Sequence, residues 1–202
     1  MMRIITGSAR GVRLETLPGD EITRPTAERV KEAIFSAIQF DIEGRTVLDL
    51  FGGSGQMGLE ALSRGAARAM FIDASADAIA VIKRNAEKTR LSDRCRYLIS
   101  DYRNYLRKAR GRDRYDLIFL DPPYSMHALP EALDRLVRYG FCKYGTTVVC
   151  ESGDDEDIFG GGDKIGACFK TQKTARYTKT YVHILTYCKE DNEDESTDQR
   201  QL

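Results

Sequence analysis

The sequence predicts an α/β fold built on an open, doubly wound sheet, and three observations carry that expectation. Apolar runs of strand length at residues 46–51, 69–73, 95–99 and 115–120 alternate with stretches of helical periodicity. The first run passes into Gly52-Gly53-Ser54-Gly55-Gln56-Met57-Gly58 ahead of a helix at 59–64, where backbone can approach a ligand at the helix N-terminus. The run at 115–120 is stopped by Asp121-Pro122-Pro123-Tyr124, because proline cannot donate to a sheet ladder. Asp121 is therefore expected at the carboxyl end of a central strand, where open α/β sheets bind their ligands.

The chain's 202 residues suit one domain with small additions, and 42% hydrophobic content supplies a sizeable core. Formal net charge is zero, so no overall basic character announces a nucleic-acid partner. Five cysteines without a C-x-x-C spacing and only two histidines argue against structural zinc and for reduced thiols of a cytoplasmic protein. No metal is expected. The first residues lack the apolar core of a secretory leader, and no apolar run is long enough to span a membrane.

Residues 3–17 read as a β-hairpin around Gly7-Ser8-Ala9-Arg10-Gly11. Its cations Arg3, Arg10 and Arg13 suit either an RNA-phosphate arm or the protection of a solvated edge. Thr26 is a plausible N-cap for a helix whose stripe is Ala27, Val30, Ile34, Ala37 and Ile38. A polar linker at 41–45 marks the end of an N-terminal extension, residues 1–44.

Asp49 lies in the strand before the glycines. Gly53, Gly55 and Gly58 satisfy the dinucleotide pattern G-x-G-x-x-G. An acid there would repel an incoming pyrophosphate and suit a cationic ligand; the alternative is a structural acceptor for loop N–H groups. Asp73 ends the next strand 20 residues after Gly53, the place for a carboxylate on ribose hydroxyls. Ala74-Ser75 then opens a helix through about residue 90. Asp101 suits either an adenine amino group, with Tyr102 flanking the ring, or a helix N-cap.

Residues 83–114 hold twelve cations against four acids, which suits solvated faces or an RNA backbone. A helix is expected at 128–138, a fifth strand at 146–151, a mobile acidic loop at 152–163, and a closing hairpin of strands 165–170 and 179–187. His183 reads as a packed or solvated strand residue. From Lys189 six acids face two cations, so an acidic, disordered tail is expected at 189–202.

Asp121, the Pro122 carbonyl and the Tyr124 ring gather two acceptors and an aromatic face, which suits a planar base with an exocyclic amino group. The other reading is a turn whose Asp caps a helix.

Together, Asp49-Leu50-Phe51-Gly52-Gly53-Ser54-Gly55, Asp73, Asp101 and Asp121-Pro122-Pro123-Tyr124 resemble the class I S-adenosylmethionine-dependent amino-methyltransferases. Arg3-Ile4-Ile5-Thr6-Gly7, Arg24-Pro25-Thr26, Arg29-Val30-Lys31-Glu32-Ala33 and Gly58-Leu59-Glu60-Ala61-Leu62-Ser63-Arg64-Gly65-Ala66 narrow the resemblance. They are similar to the bacterial RsmD family, which methylates N2 of guanine 966 in 16S ribosomal RNA. Departures are Gly52 where the family has Ala, Thr178 after Tyr177 where it commonly has Gly, and the acidic tail.

The resemblance implies a Rossmann-like sheet of seven strands with the last antiparallel, in a methyltransferase domain spanning 45–188. It implies S-adenosyl-L-methionine held by Asp49, Phe51, Gly52, Gly53, Gly55, Asp73, Ala74, Asp101 and Tyr102. It places the target base at Asp121, Pro122, Pro123 and Tyr124, with Arg3, Arg10, Arg13 and Arg24 toward the small-subunit RNA, and a monomer is expected. An adenine-N6 DNA methyltransferase, a nicotinamide dehydrogenase and a non-catalytic RNA-binding assembly factor are the alternatives.

Overall fold

The computed structural model describes residues 2–17, 25–153 and 157–189. Its elements run α1 (Pro25–Ala37), β1 (Thr46–Asp49), α2 (Gln56–Ser63), β2 (Arg68–Asp73), α3 (Ala76–Thr89), β3 (Cys95–Ile99), α4 (Tyr102–Lys108), β4 (Tyr115–Leu120), α5 (Leu129–Arg138), β5 (Cys142–Ser152), α6 (Asp163–Gly166), β6 (Phe169–Tyr177) and β7 (Thr180–Tyr187). The seven strands form one sheet in the order β3-β2-β1-β4-β5-β7-β6. Strands β1 to β5 are parallel, and β7 runs antiparallel between β5 and β6. The strand order reverses at β1 and β4, which is where such sheets open a ligand crevice.

Alternation along the strands splits the core in two. Val47, Phe71, Leu117, Phe119 and Val149 pack with Ile34, Phe35, Leu59 and Ile79 on one face. Leu48, Leu50, Ile118, Leu120 and Cys150 pack with Tyr105, Leu106, Leu133 and Leu136 on the other. The sheet is therefore helix-covered on both faces, and its strands read as near-continuous apolar runs. Among the described residues, no helix is long and apolar enough to cross a membrane.

The N-terminal arm belongs to the first of these cores through Ile4, Ala9 and Leu14. It makes a single antiparallel bridge, Arg3 to Arg13, in place of the expected regular hairpin. The reason is a competing partner: the Ile5 and Thr6 N–H groups donate to the carboxylate of Glu60 at 2.7 and 3.0 Å. Glu60 is fully buried in α2 and also faces Lys31 Nζ at 3.6 Å and Arg64 Nε at 2.8 Å. Lys31 donates to the Arg3 carbonyl at 2.6 Å. Burial pushes the Lys31 ammonium down from its ordinary pKa, with Glu60 opposing that shift. A buried carboxylate thus fastens the arm to the glycine-loop helix.

Several boundaries differ from the sequence reading; β1 ends at Asp49 rather than at residue 51, and β5 runs over Cys142–Ser152 rather than 146–151. α1 starts at Pro25, whose missing N–H suits the first helical position, so Thr26 lies within the helix. α2 starts at Gln56 because Gly55, at φ 78°, turns the chain into it. Residues 165–168 are not strand: α6 takes up the first of them and β6 begins at Phe169. β6 is an exposed edge strand carrying Lys170, Gln172 and Lys173, edge residues whose polarity hides a strand from an apolar pattern. The expected tail and Arg24 lie outside the described residues, apart from Lys189.

Candidate active site

Asp49, Asp121 and Glu151 stand at the carboxyl ends of three neighbouring strands. Pairing of Val47 with Leu117 and of Phe119 with Val149 puts these rows on one face. Asp121 and Glu151 come two residues later along the same alternation. Asp49 is buried, and its Oδ2 accepts the Gly58 N–H at 3.0 Å. Gly58 has no room for a side chain, since a Cβ would overlap the Phe71 ring and meet Asp49. The structural reading of Asp49 holds, since the acid organises the loop, and the same side chain lines a cavity.

That cavity is about 470 Å³ and is lined by Asp49, Phe51, Gly52, Gly53, Asp121 and Tyr124 among others. The N-terminal arm closes one side through Met2, Thr16 and Leu17. Buried Asn85 ties arm to loop, donating to the carbonyls of Glu15 and Ser54 and accepting from the Glu15 N–H. Asn85 gives no signal in the sequence, where it is one polar residue on an amphipathic helix.

Desolvation raises the Asp49 carboxyl to about 8, opposed by the Gly58 hydrogen bond and reinforced by Asp121 and Asp73. Desolvation raises Asp121 to about 6. Glu151 is pushed well up by burial and then by the Asp121 and Asp49 charges. Among the described residues, neither the Asp121 nor the Glu151 carboxylate has a hydrogen-bond or ion-pair partner. Three acids crowd these strand ends, and burial disfavours the charge of each.

Asp121 leads into two prolines. Among the described residues no donor reaches the Pro122 carbonyl, whereas the Pro123 carbonyl accepts from Met126 at 2.9 Å. Asp121 does not cap a helix, so the capping alternative fails. Tyr124 is 47% exposed, which leaves ring surface open to a ligand. Its hydroxyl is 3.1 Å from Thr180 Oγ1, and Gly153 lies against the ring, where a Cβ would come within 2.5 Å. Thr180 and Gly153 thus fix the ring from β7 and the end of β5. Neither is visible as a site residue without the pairing of β5 with β7.

Asp73 accepts the Gly53 N–H at 2.8 Å and the Ser75 N–H at 2.8 Å. It pins the glycine loop from β2, with Ala74 exposed beside it. Gly55 shapes the turn and packs toward Ile82 without lining the cavity. Asp101 is the N-cap of α4, accepting from Arg103 at 2.9 Å and more loosely from Asn104 at 3.4 Å. Tyr102 does not flank an open site. It is buried behind Phe51, ring centroids 5.1 Å apart, with its hydroxyl on Glu131 at 2.9 Å. Its apolar body fills the core beneath the loop. Ile99, paired with Asp73 and 55% exposed, is the apolar surface that the strand end offers instead.

Arg3, Arg10 and Arg13 are all on the arm and exposed, and Arg3 pairs with Glu28 at 2.8 Å. His183 is buried in β7, with Nδ1 3.2 Å from Thr174 Oγ1, a packed strand histidine away from the acids.

A reversed β7 beside five parallel strands, with a glycine loop after β1 and acids at the strand ends, defines a class I methyltransferase fold. Comparison with known proteins narrows this. The chain belongs to the family described as conserved hypothetical protein 95, whose model matches residues 2–186, and it is an RsmD-family protein. It is 37% identical over 158 residues to the putative rRNA methyltransferase YlbH of Bacillus subtilis, covering 78% of this chain and 85% of that protein. It is 32% identical over 151 residues to ribosomal RNA small subunit methyltransferase D of Escherichia coli, covering 75% and 74%. The solved structure of the putative methyltransferase yhhF from Escherichia coli superposes with a TM-score of 0.79 at 26% identity, covering 93% and 98%.

Proposed function

We propose that this protein is a ribosomal RNA methyltransferase that moves a methyl group from S-adenosyl-L-methionine to the N2 amino group of a guanine in small-subunit RNA. The observation that carries the reading is the pairing of an unbonded Asp121 carboxylate with an unbonded Pro122 carbonyl beside an open aromatic ring, all among the described residues. The relatives' names support the RNA substrate class.

The cavity fits the donor. Asp49 and the crowded acids favour a sulfonium and an ammonium, and Gly52 and Gly53 admit the ligand against bare backbone. Asp73 and Ile99 offer a carboxylate and an apolar surface for a ribose and a base. When bound, S-adenosylmethionine supplies the electrophilic methyl group.

The chain's own residues act on the nucleophile. An aromatic amino nitrogen is weakly nucleophilic because its lone pair is delocalised into the ring. Asp121 and the Pro122 carbonyl accept its two hydrogens, favour a tetrahedral nitrogen and aim the lone pair. Asp121, raised to about 6 by desolvation, holds the proton that leaves. Tyr124 stacks on the base, which must be unpaired or flipped out to reach this depth. Positioning and fixed dipoles supply most of the acceleration.

Glu151 favours guanine over adenine. Guanine presents N1–H and N2–H₂ as adjacent donors, and Asp121 and Glu151 are adjacent acceptors. Adenine presents a lone pair at N1 in place of that donor, so only guanine offers hydrogens to both acceptors.

Tritiated S-adenosylmethionine and small subunits lacking the modification test the reading, with label mapped by nucleoside analysis. Label in N2-methylguanosine is expected. Label in another nucleoside, or none from protein shown to bind the cofactor, overturns it.

A further inference from the structure

The basic run at 83–114 sorts into two groups once folded. Arg84 and Lys88 pair with Glu15, Arg103 with Glu131, and Lys83 lies over the Tyr97 ring. These cations are engaged in the fold. A second group gathers in a groove of about 500 Å³ at the amino ends of β1 to β4, on the edge of the sheet opposite the acids. It contains Arg68, Arg94, Arg96, Arg112 and Arg114, against Asp93 and Asp113.

Among the described residues, Arg68, Arg94, Arg96 and Arg112 have no carboxylate within ion-pairing distance. Arg94 and Arg96 each use one guanidinium nitrogen on a backbone carbonyl, of Ala66 and Cys95, both at 3.1 Å. The bonds fix the side chains and leave their charge uncompensated. Asp113 is turned toward the Tyr105 hydroxyl at 3.4 Å. A surface that served only solubility would intersperse both signs. This one concentrates guanidinium in a concave site, in a chain of zero net charge, and concavity focuses the field. Guanidinium forks match phosphate and carboxylate oxygens bidentately, and phosphate is the one of the two that repeats along an RNA substrate.

We infer that this groove binds the phosphate backbone of the RNA substrate, away from the base that reacts. The inference rests on the RNA reading of the active site and adds a second contact to it. Strands of four to six residues, about five on average, put the two edges roughly 17 Å apart at ~3.3 Å per residue, so one contiguous folded RNA has to wrap an edge of the domain to use both. The groove then selects for a structured RNA over a short oligonucleotide. Two linked contacts raise avidity without changing the chemistry.

The test is binding of protein-free small-subunit RNA across a salt series, read by fluorescence anisotropy. The variants are the triple Arg94→Gln, Arg96→Gln, Arg112→Gln and the corresponding lysine triple. Cofactor affinity serves as the check on folding. Removing three phosphate contacts should flatten the slope of log K against log salt by about 2, at ~0.7 per single-stranded contact. It should also raise KM for small subunits with kcat unchanged. The lysine triple should keep the slope, since it keeps the charge. A glutamine triple that binds cofactor normally and keeps the wild-type slope overturns the inference, as does equal competition by polyglutamate. Asp121→Ala should bind RNA with the wild-type slope and transfer nothing. Arginine-dependent RNA binding by a wild-type protein that methylates no guanine would leave the groove standing and bring down the guanine reading. A wild-type protein without salt-dependent RNA binding would bring down both.

Discussion

Affinity for S-adenosylmethionine should climb with pH through the neutral range, because the acid that attracts it is protonated before it arrives. Desolvation holds Asp49 at about 8 in the ligand-free site. A group with that value is roughly nine-tenths protonated at pH 7. A cationic ligand needs the carboxylate, so binding expels a proton and the apparent association constant scales with the ionised fraction. Between pH 6 and pH 9 that fraction rises about 90-fold, or ~2.7 kcal/mol at 1.36 kcal/mol per tenfold. Asp121 adds a further rise confined to the region below about 6.

Titration calorimetry from pH 6 to pH 9, in two buffers of different ionisation heat, measures both the affinity and the protons released. S-adenosylhomocysteine, which has no sulfonium charge, should show a weaker dependence. Flat affinity across this range with no proton release would mean that Asp49 is already ionised. The three desolvated acids would then not act as a charge trap.

The same raised values act in the opposite sense on folding. Asp49 has an ordinary value of 3.8 and a folded one of about 8. In between, the folded state holds a proton that the unfolded chain has lost, so its contribution to stability falls as pH rises. Asp49→Asn keeps an acceptor for the Gly58 N–H and should raise the ligand-free Tm at pH 8 while weakening cofactor binding; a lower Tm refutes it. Tyr124→Ala should weaken RNA binding by about 1–3 kcal/mol, the worth of one stacked base, with Tyr124→Phe near wild type by anisotropy. Glu60→Leu should cost about 3–5 kcal/mol in urea unfolding, because Lys31 stays buried without its carboxylate. It should also speed tryptic cleavage after the already exposed Arg10, as the arm's backbone comes loose. Thr178→Gly should raise Tm by about 1–3 °C. Thr178 sits at φ 60°, a conformation costing an L-residue about 1–2 kcal/mol, partly offset by the entropy of glycine in the unfolded chain.

That last position shows how far a residue pattern carries. Thr178 stands where the family commonly has glycine, and the pattern alone registers only a departure. The two-residue turn between Tyr177 and Thr180 supplies the reason: its first central residue needs the left-handed region. β3 and β4 were legible to the residue because apolar pattern and punctuation agree there. β3 ends just before Ser100-Asp101, where the cap begins, and β4 ends at the Asp-Pro-Pro turn. β6 was misplaced because an edge strand facing solvent has no apolar pattern to read, while Ile165 to Cys168 has one that belongs to a short helix and its exit.

The acids divide the same way. Asp49, Asp73 and Asp121 are each marked by the residues just after them: glycines, a helix start or prolines. Glu151 precedes Ser152-Gly153 and further acids, which read as loop. Its role depends on a neighbour 30 positions away: only the pairing of Leu120 with Cys150 sets Glu151 beside Asp121. Register is a property of two strands at once, and a single stretch of sequence does not contain it. The same holds for Glu60 and Lys31, ordinary charged residues on helices until packing buries them together. Their difference from the site acids is instructive. Glu60 has two cations and two backbone donors around it, so its charge is satisfied within the fold. Among the described residues Asp121 and Glu151 have none of these, and desolvation raises both. A fold that can compensate a buried acid so fully in α2, and does not at the ends of β4 and β5, leaves that compensation to a ligand.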